Sequence, residues 1–556
     1  MKRFGIMIFL LFLTVHIIDA QIKGVTFCKG KTFQYKKAEW DIRLVANWAN
    51  PYLQEEITLD MLITSPTGKK QTLPCYFETG ISGKESVWKA RFAPQETGHY
   101  KYYFRLNKYG KTVSVTKFQS FYSKPTDKNG FIHLKNNWAF QFDNGKPFRA
   151  IGENIAWESR DFDDSKYFKK LHENPKYNYN YMLSSLASNG GNFYRTWICR
   201  WNLPLDWKNG FNNKRYRVSD GYFNPSAVAR MDSMINLADS LGLYIMLTFG
   251  PGAYSIKDGG FSPSAEDFFV NPKSKTRYKN RLRYIVARWG YSTSVAAWEL
   301  FNEIDNVQYS ENGKVISADS IVKWHDEMST YLKQQDPYGH LVTTSISHRD
   351  LKGLNSLSCI DFNQKHIYKN TSSIPSQIVK YEKDFGKPYV IGEFGYEWDW
   401  SKNFDEFAEE MDYDFKRGLW YGLFSPTPIL PMTWWWEFFD HRNMTPYLRS
   451  VREISDQMLD AGHGDFQIVP VEANDVESYG LKCGDKLFVY LLNNNSVISK
   501  SNLSIEGINK LYKISGYIPS KREYKDLGTS SLTGLTLKDI ILNPKSEIVL
   551  IFTPIL

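Results

Sequence analysis

The sequence is poor in cysteine and lacks the usual signatures of metal and serine hydrolases. An odd number of cysteines without CxxC spacing excludes a disulfide scaffold and argues against a zinc site. Buried free thiols are expected, and Cys28 with Cys75 is the disulfide to test first, because both fall in one candidate domain. HExxH and GxSxG motifs are also absent, so metalloprotease and nucleophile-elbow chemistry can be set aside. The five cysteines are Cys28, Cys75, Cys199, Cys359 and Cys483.

Long hydrophobic runs are absent after the first residues of the chain. Met1-Lys2-Arg3, an apolar run from Phe4 to Val15, and the segment ending in Ala20 have the layout of a secretory signal peptide, residues 1–20. No later run reaches the roughly 18 apolar residues of a membrane helix. We therefore expect a secreted or periplasmic protein, or one attached at the cell surface, without a transmembrane segment.

Concentrated charge is also missing. The formal charge of +9 is spread along the chain, with no polybasic run and no nucleic-acid motif. This distribution excludes a nucleic-acid partner and leaves an acidic polysaccharide open as a substrate. Nothing in the sequence calls for a cofactor, a metal ion or a second subunit, so we predict a monomer without cofactor.

Aromatic residues, by contrast, are abundant. They make up 16% of the chain, with 17 Trp and 35 Tyr. Two interpretations stay open, large β-rich cores or a surface that stacks against sugar rings. A chain of 556 residues is too long for one core, so two to four domains are expected.

Three folded regions are predicted from the pattern of strands, helices and turns. Residues 22–122 read as strands and turns, and Gly98-His99-Tyr100-Lys101-Tyr102 after a proline-marked corner resembles an immunoglobulin-like β-sandwich. A polar linker follows at 123–130. Residues 130–462 alternate strands with amphipathic helices, and residues 463–556 return to short alternating strands, a second β-sandwich.

The central region predicts a (β/α)8 barrel. Its helices have clear boundaries: Asn224-Pro225 opens one and Gly242 ends it. A hairpin around Asp143-Asn144-Gly145 is expected to seal the bottom of the barrel. Eight is the strand number of this fold. The predicted strands begin near Arg149, Asn192, Leu243, Ala296, Leu341, Asp361, Pro388 and Pro431.

Polar side chains follow several of these strands. Glu303 ends the run Trp298-Glu299-Leu300-Phe301-Asn302, and Glu393 ends Val390-Ile391-Gly392. C-terminal strand ends of a barrel meet at one rim, so the two carboxylates should converge. Glycosidic-bond hydrolysis needs such a pair, one as proton donor and one as nucleophile or base. Further candidates at these ends are Asn192, Arg195, Asn302, His366, Tyr368 and the run Trp434-Trp435-Trp436.

This constellation resembles the clan A glycoside hydrolases, which include the family 5 cellulases and mannanases. Four features carry the resemblance, and it covers the predicted barrel. The flanking immunoglobulin-like module and C-terminal sandwich are similar to Bacteroidetes-type polysaccharide-degrading enzymes. The four features are Asn302-Glu303 after strand four, Glu393 after strand seven, Arg195 after strand two, and His366-x-Tyr368 after strand six.

The resemblance implies a retaining hydrolase of β-glycosidic bonds in a poly- or oligosaccharide. Glu303 would be the general acid/base and Glu393 the nucleophile, kept ionised by Arg195 and by a hydrogen bond from Tyr368. Retention predicts carboxyl groups about 5 to 5.5 Å apart, whereas inversion needs roughly 6.5 to 9.5 Å. The implied substrate-binding residues are Arg195, Asn302, His366, Tyr368, Trp434 and Trp436.

Each substrate-binding residue has a specific expected place. Asn302 would bond the sugar 2-hydroxyl, and His366 would line the subsite of the reacting sugar. Trp434 or Trp436 would form its floor, with Trp435 pointing away, because neighbouring strand positions face opposite sides. A structural role remains open for His366, as does packing of the tryptophans between barrel and helix.

Several other polar residues near the predicted strand ends have structural or sugar-binding roles open to them. Asn192 is a candidate for a structural bond to a neighbouring loop, and Glu299 for a buried ion pair. Glu153, Asp305, Glu397, Asp399 and Glu437 are further candidates for binding sugar hydroxyls. The rival function is a non-catalytic glycan-binding protein that kept the barrel. Long loops after the first three strands leave the sugar, and endo or exo action, undetermined.

Overall fold

The computed structural model describes residues 20–28, 30–250, 259–307, 315–505, 510–530 and 535–555. The chain divides into two compact units, Met1–Pro125 and Thr126–Leu556, and the division falls within the predicted linker. Apart from Ala20, the predicted signal peptide lies outside the described residues. Within those residues, no helix combines the length and the apolar character needed to cross a membrane.

The first unit consists of two sheets that pack face to face. Their strand orders are β1-β3-β7-β6 and β2-β10-β8-β4-β5, with β9 beside β8. Alternate residues of β3 are buried, and the indole N–H of Trp40 donates to the hydroxyl of Tyr102 in the other sheet at 3.1 Å. A β-sandwich is therefore present, and its immunoglobulin-like character stays a prediction. The strands are β1 Gln21–Phe27, β2 Thr32–Phe33, β3 Ala38–Val45, β4 Ile57–Thr64, β5 Lys70–Pro74, β6 Tyr76–Gly80, β7 Glu85–Phe92, β8 Gly98–Lys108, β9 Lys111–Val115 and β10 Gln119–Lys124.

A small antiparallel sheet begins the second unit. Its strands are β11 Ile132–Leu134, β12 Phe140–Phe142 and β13 Pro147–Phe148. Gly145 in the turn between β12 and β13 has φ 80°, a conformation that glycine adopts readily. Phe140 and Phe148 share one buried core with Phe193 and Val390, at the starts of two barrel strands. The hairpin thus seals the N-terminal end of the barrel, as predicted.

Eight parallel segments form the barrel, and all pair with their neighbours in sequence order. The fifth strand is interrupted at Thr344. The eighth segment, residues 429–433, closes the barrel: Ile429 pairs with Ala150, and Thr433 pairs with both Glu153 and Phe394. The predicted (β/α)8 barrel is confirmed. Its strands are β14 Gly152–Asn154, β15 Phe193–Trp197, β16 Tyr244–Thr248, β17 Val295–Glu299, β18 Leu341–Thr343 with β19 Ser345–Ile346, β20 Asn363–Tyr368 and β21 Tyr389–Gly395.

Helices follow the strands, and local signals set their ends. In α3 the side chain of Asn224 accepts from the backbone N–H of Ser226, Pro225 is the first helical residue, and Gly242 ends the helix with φ 68°. The described helices are α1 Lys169–His172, α2 Tyr179–Ser188, α3 Pro225–Leu241, α4 Ala265–Val270, α5 Pro272–Trp289, α6 Ile304–Val307, α7 Ala318–Gln335, α8 Ile374–Phe385, α9 Ala408–Leu423, α10 Trp436–His441 and α11 Leu448–Gly462.

The C-terminal strands form a second two-sheet sandwich within the same compact unit as the barrel. Leu491, Leu503 and Leu550 lie in its core. Trp420 of α9 stacks on Tyr490 with ring centroids 5.4 Å apart, which joins barrel and sandwich. The strands are β22 Phe466–Val469, β23 Val471–Ala473, β24 Glu477–Cys483, β25 Lys486–Leu492, β26 Ser499–Ile505, β27 Tyr512–Ile518, β28 Glu523–Thr529, β29 Leu535–Leu542 and β30 Glu547–Pro554.

None of the five cysteines, all of them within the described residues, forms a disulfide bond. The pairing of Cys28 with Cys75 is therefore wrong: Cys28 is exposed just after β1, whereas Cys75 is buried between β5 and β6. Cys75, Cys199 and Cys483 are buried, which agrees with the expected packing of small apolar thiols.

Candidate active site

Two glutamates face each other at the C-terminal rim of the barrel. Glu393 belongs to β21 and is buried, and Glu303 follows β17 with a side chain that is 23% exposed. The backbone of Glu303 has φ 46°, a region that non-glycine residues seldom occupy, and its N–H donates to Ser345 Oγ at 2.9 Å. One oxygen of Glu303, one oxygen of Glu393 and one ring nitrogen of His366 all lie within 4.8 Å of one another.

Arg195 of β15 is the buried cation behind the pair. Its Nη1 donates to Glu393 Oε1 at 2.6 Å and to Asn154 Oδ1 at 3.1 Å. Burial by itself would lower the pKa of Arg195, but the charges of Glu299 and Glu393 raise it above the usual value. Arg195 is therefore a permanent positive charge against Glu393.

Glu299 is the second carboxylate on Arg195. Its two oxygens accept from Nε and Nη2 of Arg195 at 2.6 and 2.8 Å, and they also accept from Thr248 Oγ1 at 2.6 Å and Gln364 Nε2 at 2.8 Å. The predicted buried ion pair of Glu299 is confirmed, and its partner is the same arginine that holds Glu393. This fork-like contact fixes the guanidinium plane. Thr248 and Gln364 carry no sequence signal that marks them for this role.

Tyr368 completes the surroundings of Glu393. Its hydroxyl donates to Glu393 Oε2 at 2.7 Å, so the structure contains both predicted contacts to this carboxylate. Burial would raise the pKa of Glu393, but the charges of His366 and Arg195 and the hydrogen bond from Tyr368 outweigh burial and lower it. Glu393 is thus ionised across the neutral range.

His366 lies between the two glutamates. Its Nδ1 is 2.8 Å from Glu303 Oε1 and 3.3 Å from Glu393 Oε2. Burial lowers its pKa, but the charge of Glu393 and the hydrogen bonds to both glutamates raise the pKa to about 9. His366 is therefore an imidazolium that bridges the pair, in addition to lining the cavity as expected.

Asn302 reaches the same centre from the residue before Glu303. Its Oδ1 accepts from Arg195 Nη2 at 2.6 Å, which fixes the orientation of the amide. With the oxygen held in this way, the NH2 group is the part of Asn302 left to donate into the cavity that Asn302 lines.

A cavity of about 750 Å³ opens above these residues. Glu303, Glu393 and His366 lie on its wall together with aromatic and polar side chains, a composition typical of a ligand site. Trp197, His348 and Trp398 also line it, and the sequence analysis did not single out their side chains. Further lining residues are Asn306, Ser347, Lys365, Asn370, Ser373, Gln377 and Trp434.

The three consecutive tryptophans have different surroundings. Trp434 lines the cavity, whereas Trp436 starts α10 and packs against Trp157 and Trp434, with ring centroids 5.0 and 5.4 Å apart. Trp435 stacks on Phe168 at 4.9 Å, away from Trp434. The strand alternation used to place these rings does not apply, because the eighth strand ends at Thr433. Of the two candidates for the floor, Trp434 alone is on the cavity wall.

The remaining predicted polar residues are not among those that line this cavity. Asn192 accepts from Ile151 N at 2.7 Å and donates to Arg149 O at 3.0 Å, so it is structural. Asp305 accepts from three successive backbone N–H groups of residues 347–349. Glu397 accepts from the backbone N–H groups of Trp398 and Asp399, and Asp399 Oδ1 accepts from the backbone N–H of Ser401. Glu153 and Glu437 are buried, and burial raises the pKa of each.

Glu303, His366 and Glu393 are also the donors that come closest to a metal-binding arrangement at this rim. The Nδ1 of His366 carries a proton shared with the two carboxylates, so the nitrogen that lies between them is not free to bind a cation. The geometry fits proton transfer and nucleophilic attack rather than metal chemistry.

A (β/α)8 barrel with two facing glutamates at its C-terminal rim, each in a different electrostatic environment, is the arrangement of a glycoside hydrolase. Comparison with known proteins agrees. Residues 150–419 match the model of cellulase (glycosyl hydrolase family 5), and residues 31–107 match a domain of unknown function (DUF5060). The chain therefore contains a glycoside hydrolase family 5 domain, residues 150–419, which is its barrel.

Curated relatives and solved structures are similar to parts or most of this chain. Mannan endo-1,4-beta-mannosidase 3 of Arabidopsis thaliana is 28% identical over 246 residues, which are 40% of this chain; the chain spans about half, 52%, of that relative. A candidate glycoside hydrolase from Bacteroides vulgatus ATCC 8482 superposes with TM-score 0.64 at 14% identity, covering 95% of this chain and all of the other. A family 5 structure from the same organism gives TM-score 0.52 at 14% identity, covering 77% and 93%. At these identities the structures show a shared fold.

Proposed function

We propose that the protein is a retaining β-glycosidase in which Glu393 is the nucleophile and Glu303 the general acid/base. The observation that carries this proposal is the unlike setting of the two carboxylates. Glu393 accepts from Arg195 and Tyr368 and is held ionised, whereas Glu303 is partly exposed and accepts from neutral Asn306 as well as from His366. A buried carboxylate held ionised by a cation and a hydroxyl, facing a second carboxyl group that is partly exposed, supports separate nucleophile and acid/base roles.

In the first step, a carboxylate oxygen of Glu393 attacks the anomeric carbon. The bond from that carbon to the glycosidic oxygen breaks, and Glu303 gives its proton to the leaving oxygen. In the second step, Glu303 takes a proton from water, the water oxygen attacks the same carbon, and the ester bond to Glu393 breaks. Two inversions restore the starting configuration, and both carboxyl groups return to their original states.

The spacing of the pair supports retention over inversion. One oxygen of Glu303 and one oxygen of Glu393 lie within 4.8 Å of each other, which agrees with the close pair, about 5 to 5.5 Å apart, that direct attack requires. A water molecule poised for inversion needs roughly 6.5 to 9.5 Å between the carboxyl groups.

We infer that the substrate is a β-linked poly- or oligosaccharide outside the cytoplasm. Support comes from the aromatic side chains of Trp197, Trp398 and Trp434 on the cavity wall, which suit stacking on sugar rings, and from the amide of Asn302 beside Glu303. A β-1,4-mannan is the first polymer to test, because the matching Arabidopsis relative carries the name of a mannan endo-1,4-beta-mannosidase.

The test begins with a panel of plant and algal polysaccharides, followed over time to identify a cleaved substrate and to separate a product ladder from a single released sugar. Glu303→Gln and Glu393→Gln are then each expected to lose at least about a thousandfold in kcat/KM, while keeping wild-type melting behaviour. Glu410→Gln, the same change at an exposed position on α9, is the matched control and stays active.

Azide rescue assigns the two roles. With a dinitrophenyl glycoside of the identified sugar, a variant with a small side chain in place of Glu303 should form a glycosyl azide of retained configuration, because azide replaces water in the second step. A small variant at 393 should form the inverted azide. Near wild-type turnover of either Gln variant, or the opposite pair of azide products, would refute the assignment.

A further inference from the structure

The sheet that contains β8, β9 and β10 in the first unit is unusually basic. From Gly98 to Lys124 the sequence holds six lysines and arginines and not one aspartate or glutamate. Along β8, Tyr100, Tyr102 and Phe104 are buried in the sandwich, so the alternate positions His99, Lys101 and Tyr103 face outward. The family model that covers most of this unit assigns no function to it.

Strand register arranges the outward side chains in rows. Tyr122 of β10 pairs with His99, Ser120 pairs with Lys101, and Tyr103 pairs with Leu62 of β4. The row of Lys101 continues through Thr64 to Lys70 of β5. We call this surface the outer face, defined by Leu62, Thr64, Lys70, His99, Lys101, Tyr103, Phe118, Ser120 and Tyr122.

Two aromatic pairs stand on the outer face. The rings of Tyr103 and Phe118 are 4.9 Å apart at 66°, and those of His99 and Tyr122 are 4.9 Å apart at 70°. Phe118 is 72% exposed and Tyr122 is 47% exposed, in contrast to the buried aromatics on the inner side of the same strands. At about 3.3 Å per residue, the two pairs stand roughly 13 Å apart along the strands, with the Lys101 row midway between them.

The charge of the outer face is not neutralised locally. Within the part of the chain that the structure describes, Lys70 and Lys101 of the outer face take part in no ion pair, and neither does Lys117, the neighbour of Phe118. Arg105, two residues after Tyr103, lies 3.6 Å from Asp60. Exposed aromatic rings that alternate with free ammonium groups match a ligand with both an apolar surface and negative charge.

We propose that the outer face binds an anionic polysaccharide, one that carries uronate or sulfate groups. Sugar rings stack on the Tyr103–Phe118 pair and on Tyr122, and Lys101 binds an acidic substituent between them. A sheet face with rows of side chains in register suits an extended chain, and the ammonium of lysine is a compact partner for carboxylate or sulfate. The choice of a glycan among polyanions rests on the proposed function of the barrel.

The experiment is affinity electrophoresis of the full-length protein in gels that contain polygalacturonate, alginate or carrageenan, with galactomannan as the neutral polymer. The acidic polymers are expected to retard the wild type, and Tyr103→Ala/Phe118→Ala and Lys101→Glu should each weaken binding at least tenfold. Lys84→Glu, the same change at an exposed lysine in the turn before β7 on the other sheet, is the matched control and keeps wild-type retardation. If the double variant has a lower melting temperature than the wild type, the test rests on Lys101→Glu, which changes an exposed side chain.

Equal retardation of wild type and outer-face variants would overturn the proposal. Equal retardation by galactomannan would overturn the specificity for acidic polysaccharides. Tighter binding of duplex DNA or of phosphatidylglycerol vesicles would show that the ligand of the outer face is a polyanion other than a glycan, and would overturn the proposal. Hydrolysis of a short oligosaccharide separates this proposal from the proposed activity. Outer-face variants should hydrolyse it at the wild-type rate, whereas Glu303→Gln should bind the acidic polymer normally and not hydrolyse.

Discussion

Removing the hydroxyl of Tyr368 tests how the barrel keeps Glu393 ionised. This hydroxyl donates to Glu393 Oε2 at 2.7 Å, and the other donors, Arg195 and His366, stay in place in Tyr368→Phe. A hydrogen bond to a charged group contributes about 1.5 to 3 kcal/mol. Its loss should remove about 1.5 to 3 kcal/mol of preference for the ionised form and so raise the pKa of Glu393.

The direction of the effect follows from which form accepts the bond. Only the ionised carboxylate of Glu393 gains from the hydroxyl, so its removal favours protonation, and the acidic limb of the kcat/KM profile should move to higher pH. The measurement is kcat/KM against pH on an identified substrate.

The matched control is Tyr194→Phe on β15. Its hydroxyl is buried and has no hydrogen-bond partner within the described residues, so removing it should leave the acidic limb unmoved. If Tyr368→Phe lowers activity at every pH without shifting the acidic limb, the hydrogen bond does not set the ionisation of Glu393 and the reasoning fails.

Two further predictions concern the stability of the site. Glu299→Gln removes one of the two negative charges that face Arg195. Because breaking a buried ion pair leaves a charge uncompensated, the free energy of unfolding in urea titrations should fall by about 3 kcal/mol. An unchanged urea midpoint would contradict the contact of Arg195 with both glutamates. His366 has its pKa raised from 6.5 to about 9, so its protonated form stabilises the fold fully below pH 6.5, and this contribution is lost as pH rises through about 9. Urea titrations between these pH values should show the loss in the wild type and not in His366→Gln, and parallel slopes in both would exclude it.

Much of the fold could be predicted from the sequence because its signals are local. The N-cap at Asn224 and the end at Gly242 depend on neighbouring backbone groups, and the structure has both as predicted. Glu303 and Glu393 were visible as polar residues after apolar runs, and they lie just beyond the end of β17 and near the end of β21. Once the barrel is inferred, its symmetry brings those ends to one rim without further information.

The division of charge within the site required the tertiary structure. That Arg195 serves Glu299 as well as Glu393, and that His366 bridges Glu303 and Glu393, depends on side chains from four strands meeting within hydrogen-bond distance. These distances cannot be predicted from the order of residues, because residues far apart along the chain contribute to one hydrogen-bond network.

Sequence by itself predicted the class of fold and placed Glu303, Glu393 and other polar candidates after barrel strands, because hydrophobic period and strand-end polarity are properties of neighbouring residues. The pairing of Arg195 and Tyr368 with Glu393 was implied by the family resemblance. Only the tertiary structure decided that Trp434 rather than Trp436 lines the cavity, since the chain turns into α10 where strand alternation had been assumed. It also decided that Cys28 and Cys75 stay apart. Both outcomes depend on where the backbone changes direction, which packing across the whole barrel or sandwich sets.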